Sequence, residues 1–141
     1  MCAEQLVRPK CWLVRISLRK PDSIRDYNYL LQEIETSGQG LWDKDVRNQV
    51  RTGDYVAFIV GSVEDAEVHI FQVVEERPVE ARHSFWSQSA REVIVLVQAP
   101  FDPYSWNLWR AEVGYAPNFW PNGTMPARMV PDAVFAKKNR D

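Results

Sequence analysis

Trp42, Arg47, Asn48 and Gln49 fall within one eight-residue window, between a Gly40-Leu41-Trp42 turn and the Gly53-Asp54 turn. An indole offers a flat apolar wall. The carboxamides of Asn48 and Gln49 each present a donor beside an acceptor, and the Arg47 guanidinium can grip a ring edge or a phosphate. These are the groups that a pocket for a single planar, polar heterocycle requires: stacking on the ring face and hydrogen bonds at its edge. Phe85 and Trp86, in a second polar segment, are further candidate planes. A purely structural alternative stays open, in which Trp42 plugs the end of a barrel and Arg47 pairs with Asp43 or Asp45.

Catalytic chemistry is less well supplied. The chain has no GxSxG elbow, no phosphate-cradling glycine loop and no HExxH. Asp43 and Asp45 would share one face of a strand and could hold a hard cation or act as an acid/base pair, as in a hydrolase or nuclease, but such a pair flanking Lys44 also suits a solvated turn. His69 alternates with apolar neighbours and His83 sits in a polar segment, so neither has a fixed partner. Cys11 lies in an apolar run beside Trp12 and reads as packing rather than as a nucleophile. The expectation is a binding module, not an enzyme, with no cofactor and no metal ligand set.

The elements that must position these residues follow from pattern. Residues 1–10 read as a flexible N-terminal tail. Cys11 to Ser17 is a first, central strand. Asp22 or Ser23 can cap a helix running to about Thr36, with Ile24, Tyr27, Leu31 and Ile34 on its apolar face and Leu30 beside them. Tyr55–Val60 is a strand, and Val68–Glu75 follows at hairpin distance before Glu76-Arg77-Pro78 breaks it. Residues 79–92 form a loop around Phe85-Trp86, and Val93–Val97 is a strand buried on both faces. Segment 104–109 fits helix or strand. Val134-Phe135-Ala136 is expected as a short last strand before a basic C-terminal tail, 137–141. The fold class is α+β: a curled β-barrel of about five to six mainly antiparallel strands flanked by a few helices.

A chain of 141 residues is one domain by size, here 11–136. Six Trp, six Phe and five Tyr exceed what one pocket could use, so most belong to a β-rich core. The formal charge of −2 argues against a broad phosphate-tracking surface while permitting a local basic face. With only Cys2 and Cys11, a reducing intracellular setting, cytoplasmic or nuclear, is the default, and a disulfide between them is the lesser alternative. No run has the length of a membrane span, so no membrane partner is expected.

Three motifs together resemble EVE domains of the PUA-like superfamily: Trp12-Leu13-Val14 at the start, Trp42 followed by Val46-Arg47-Asn48, and Gly53-Asp54 leading into a strand. The likeness spans residues 11–98; Asp45 stands where those domains usually have Gly, and YTH and ASCH relatives remain open. The resemblance implies a PUA-like barrel with a pocket at one mouth. Such a domain captures one base of DNA or RNA, methylated or hydroxymethylated, in an aromatic cage. It also implies phosphate contacts from Arg15, Arg19, Lys20 and Arg51, or from the Lys137, Lys138, Arg140 cluster. The competing reading is a protein-interaction or small-ligand module that uses the aromatic segment 104–120 as its contact surface.

Overall fold

The computed structural model describes residues 9–16, 19, 21–43, 50–62, 64–78, 92–121 and 124–138. In chain order the elements are β1 (Cys11–Ile16), α1 (Pro21–Ser37), β2 (Gly40–Asp43), β3 (Tyr55–Val60), β4 (Glu67–Pro78), β5 (Glu92–Gln98), β6 (Tyr104–Ser105), α2 (Trp106–Val113), β7 (Thr124–Pro126) and α3 (Pro131–Lys138). The seven strands form one mixed sheet in the order β2-β5-β4-β3-β1-β7, with β6 pairing β4 beside that path. β1 and β3 run parallel, joined through α1 and β2, and the other pairings are antiparallel. The α+β class expected from sequence therefore holds. The sheet has seven strands rather than five or six, and among the described residues no pairing joins β2 to β7, so it is open rather than a closed barrel.

Strand alternation sends successive side chains to opposite faces, and each face carries its own core. On one face Trp12, Val14, Val56, Phe58, Phe71, Val73, Ile94 and Leu96 pack under Tyr27 and Leu30 of α1. On the other, Cys11, Leu13, Ala57, Ile59, Val68 and Ile70 pack against Trp106 and Trp109 of α2 and Val134 of α3. Leu30 is fully buried, whereas Leu31 is exposed, so the apolar stripe of α1 runs through Leu30 and not through Leu31. Gly40 permits the close approach of β2 to this helix, because a Cβ there would stand 2.5 Å from Leu30 Cδ1 and 2.9 Å from the Leu30 carbonyl oxygen.

Two expectations are corrected. Residues 134–136 belong to α3, where Pro131 takes the first helical position and Asp132 sits in the first turn, and Val134 is the side chain buried against α2. Strand β4 also continues through Glu76-Arg77-Pro78, with a register irregularity between Val73 and Glu75; Pro78, pairing Glu92, is its last residue, where a missing N–H is tolerated. Segment 104–109 resolves into two residues of strand and the start of α2, capped by Ser105 Oγ accepting from Leu108 N–H.

Candidate nucleic-acid interface

The end of the sheet at which β3 begins forms a rim. β4 and β5 extend past that point, Pro78 pairing Glu92 and Arg77 pairing Val93, and β2 comes down alongside them until Asp43 also pairs Val93. Segment 44–49 connects Asp43 to Val50, and segment 79–91 connects Pro78 to Glu92. The described residues that bracket both segments therefore lie at this one rim. The connectivity thus places at one end of the sheet Asp43, Val50, Pro78 and Glu92, residues far apart in sequence.

A carboxylate fixes the inner part of the rim. Asp54 is the one buried charged residue among the described residues, at 5% exposure. Its Oδ2 accepts from Trp12 Nε1 at 3.0 Å and from the Arg51 N–H at 2.9 Å, and its Oδ1 accepts from the Lys10 N–H at 3.0 Å. Charge-assisted bonds of this kind are the stronger ones; two of them hold the start of β1 against the turn entering β3, and the third closes the turn itself. Gly53 allows that turn: its φ of +98° lies in the region closed to most side chains, and its N–H donates to the Val73 carbonyl at 2.7 Å. Val50, just before it, is buried in the α1-side core. The far end of segment 44–49 is thus anchored by packing and by hydrogen bonds. Trp12, Gly53 and Asp54, which carry part of the EVE resemblance, are scaffold; sequence reasoning identified them as a motif but not as this clamp.

Trp42 lies on β2 rather than in a loop, opposite Ile94. It is half-buried, and its ring meets Phe58 edge-on at 4.8 Å between centroids. One part of the indole is thus held by the core while another part remains accessible. Arg51 is exposed; its guanidinium lies 4.0 Å from Glu76 Oε1, and Nη1 donates to the Val50 carbonyl. Glu76 Oε2 in turn accepts from Thr52 N–H and from its hydroxyl. Nearby, Arg77 bonds both oxygens of Glu75 and holds that carboxyl below its usual pKa range. Among the described residues the rim therefore pairs each of its arginines with a glutamate.

The other sequence candidates separate. Arg47, Asn48, Gln49, Phe85, Trp86 and Lys20 lie outside the described residues, as do Asp45, His83 and Arg140. Arg15 pairs Ile59 towards the far end of β1, on the α2 side of the sheet, and Arg19 follows β1 beyond that same far end. Neither shares the rim with Trp42 and Arg51. The indoles of Trp106 and Trp109 are fully buried, so two of the three tryptophans of the aromatic segment 104–120 build the core and are not available as a contact surface, while Trp120 is half-buried. Cys11 is buried as expected, and desolvation, reinforced by the Asp54 charge, pushes its thiol up to about 12. His69 faces the α1 side, with Nε2 3.6 Å from Glu67 Oε1. No group of His, Cys, Asp and Glu among the described residues could hold a metal ion. A polar groove of about 160 Å³ lies between the end of α1 and strands β2, β5 and β4, lined by Glu33, Ser37, Gln39, Gly40, Leu41, Arg77 and Val95. Trp42 does not contribute to it.

No family model matches this chain. No curated protein matches it either. Among solved structures, the chain is similar to the N-terminal domain of Thermococcus gammatolerans McrB bound to m5C DNA, with a TM-score of 0.60 and 14% identity over 93% of this chain and 97% of that one. That overlap extends the likeness well beyond the motif-bearing region, and the two chains share an α+β fold.

Proposed function

We propose that this chain is a nucleic-acid-binding module of EVE type that captures a single modified base, methylated or hydroxymethylated, at the rim. In this reading Trp42 is one stacking wall, and Phe85 and Trp86 supply the opposing plane. Asn48 and Gln49 read the base edge, Arg47 holds the adjacent phosphate, and Arg51 supplies a further positive charge. The observation that carries the reading is the convergence at one rim of the anchors of segments 44–49 and 79–91, beside an indole with one side in the core and another accessible. The McrB N-terminal domain, which shares the fold and was solved bound to m5C DNA, supports DNA carrying a methylated cytosine as the first ligand to try.

The test is fluorescence anisotropy with labelled duplexes and single strands that differ only in one central cytosine: plain, 5-methyl or 5-hydroxymethyl. Burying one methyl group is worth about 0.8 kcal/mol, so preference for the methylated ligand should be roughly four-fold or more. Trp42→Ala should weaken binding of the modified ligand and bring the modified-to-plain ratio close to one. Equal affinity for all three bases, with Trp42→Ala binding like the parent, would rule out base capture at this rim.

A further inference from the structure

Both arginines of the rim among its described residues face a glutamate, Arg51 towards Glu76 and Arg77 towards Glu75. The α2 side of the molecule differs. There the Arg15 guanidinium lies over the Trp120 ring at 4.6 Å, and Arg110 lies 5.8 Å from the same ring and 5.9 Å from Trp106. Arg128 lies over Tyr115 at 4.6 Å. The rings form a continuous set: Tyr115 stacks on Phe119 at 4.5 Å, and Trp106 lies within about 6 Å of Tyr115, Phe119 and Trp120. None of the three arginines meets a carboxylate among the described residues. Arg110 is held in place, donating to Asn107 Oδ1 at 2.6 Å and to the Phe119 carbonyl at 3.2 Å. Arg128 spends one N–H on the Gly114 carbonyl. Arg15 is exposed and makes no hydrogen bond to a described residue, so its donors face outward.

We infer that Arg15, Arg110 and Arg128 form a second nucleic-acid contact, a phosphate-gripping strip on the face of the sheet opposite the Trp42 rim. An aromatic ring beneath a guanidinium fixes its plane without neutralising its charge, which pre-organises N–H donors for an anionic oxygen. The strip follows β1 and β7. Pro126 of β7 pairs Trp12, and the Ala127 N–H donates to the Cys11 carbonyl, so Arg128 lies near the start of β1 and Arg15 near its end. At about 3.3 Å per residue the two guanidiniums are spaced on the order of 15 Å along the strand direction, several 3.4 Å rises of one DNA strand. Phosphate spacing suits this length. The choice of nucleic acid as the partner rests on the reading proposed for the rim. Exposed Leu108, the one large apolar side chain on α2 open to solvent, lies about 200° around the helix from Arg110 and adds no lipid-seeking surface to the strip.

The experiment is a salt titration of binding to plain and 5-methylcytosine duplexes by the parent chain, Arg15→Gln, Arg15→Gln/Arg128→Gln and, as a charge control on α1, Arg25→Gln. Each lost phosphate contact lowers the slope of log affinity against log salt by about 0.9. The double variant should bind both duplexes roughly ten-fold more weakly at low salt, with the slope reduced by about 2 and the methylated-to-plain ratio unchanged. Arg15→Gln, which removes no hydrogen bond to a described residue, should fold like the parent and lower the slope by about 1. Slopes that stay at the parent value, or fall no further per charge than in Arg25→Gln, overturn the strip. So does loss of binding to phosphatidylserine vesicles in these variants while DNA binding persists. A parent chain without methyl preference but with variant-dependent slopes refutes the rim reading and leaves the strip standing.

Discussion

The two faces of the sheet use the same residue type in opposite ways. On the α2 side, Trp106 and Trp109 are sealed, Tyr104 meets Trp109 edge-on at 5.8 Å, and neither indole N–H has a hydrogen-bond partner among the described residues. On the α1 side, Trp12 donates its N–H to Asp54, and Trp42 is sealed on one part only. A core built from rings gains enough apolar burial and dispersion to tolerate an unpaired donor costing about 1–3 kcal/mol. A rim that must stay open cannot rely on burial in this way, and it is braced instead by one carboxylate with three short bonds. The sealed face is held by packed rings; the braced one is held by hydrogen bonds around Asp54.

The largest effect should come from breaking the sealed face. Trp109→Ala should cost about 3–5 kcal/mol in urea unfolding, because it leaves an indole-sized void between α2 and the sheet. Trp42→Ala, which removes an indole already half in water, should cost about 1–2 kcal/mol in the same measurement. Equal losses would mean that Trp42 is as much core as Trp109, and the contrast between the faces would disappear.

A finer comparison exchanges each indole for a phenyl ring. Trp12→Phe takes a donor away from buried Asp54 and leaves a carboxylate oxygen underpaired, so about 2–3 kcal/mol should be lost. Trp109→Phe removes a donor that has no described partner, which offsets part of the lost volume, and about 1–2 kcal/mol should be lost. Chemical denaturation of the two variants side by side decides the matter. The reverse ranking would show that the clamp is less important than the packing around it.

Much of this division was legible in the sequence. Tyr55–Val60 is the strand its aromatic and β-branched run indicates, Val93 to Leu96 are buried on both faces with Val97 half-buried, and α1 lies where its spacing puts it. The alternation of β1 also contained a signal that charge grouping obscured: Arg15 has the parity of Cys11 and Leu13, so it must point away from Trp12 and from the Trp42 side. What spacing could not reveal were long-range facts. The partners of Asp54 include Lys10 and Trp12, 44 and 42 positions away. The four-residue β2 is read as a turn until β5 is there to pair with it. Leu30 and Leu31 are adjacent and chemically identical, and only the close approach of Gly40 to Leu30 shows which faces inward. In Val134-Phe135-Ala136 the β-branched and aromatic pair suggests strand, but Pro131 and Asp132 start a helix, which docks through buried Val134 and through Phe135 against Phe101 and Tyr104.

The smallest expected effect tests where the two faces touch. Cys11 belongs to the α2-side core, yet the charge of Asp54 on the other side adds to the desolvation that lifts its thiol to about 12 from an ordinary 9.0. A thiol raised in the folded state stays protonated there while the unfolded chain releases its proton, so the unfolded state binds fewer protons above the ordinary value and stability falls as pH rises. The stabilisation is complete below about pH 9, declines between 9 and 12, and is gone above the folded value, at no more than about 1.4 kcal/mol per pH unit. Urea unfolding at pH 8, 9 and 10 should therefore show a flat first interval and a loss of roughly 1 kcal/mol in the second. Cys11→Ala should be less stable throughout but should lose less between pH 9 and 10, since Tyr27, also raised by burial, begins to contribute only from its own ordinary value of 10.0. If the parent and Cys11→Ala decline in parallel over that interval, the thiol is reachable by water, and the boundary between the sealed core and the braced rim does not run through β1.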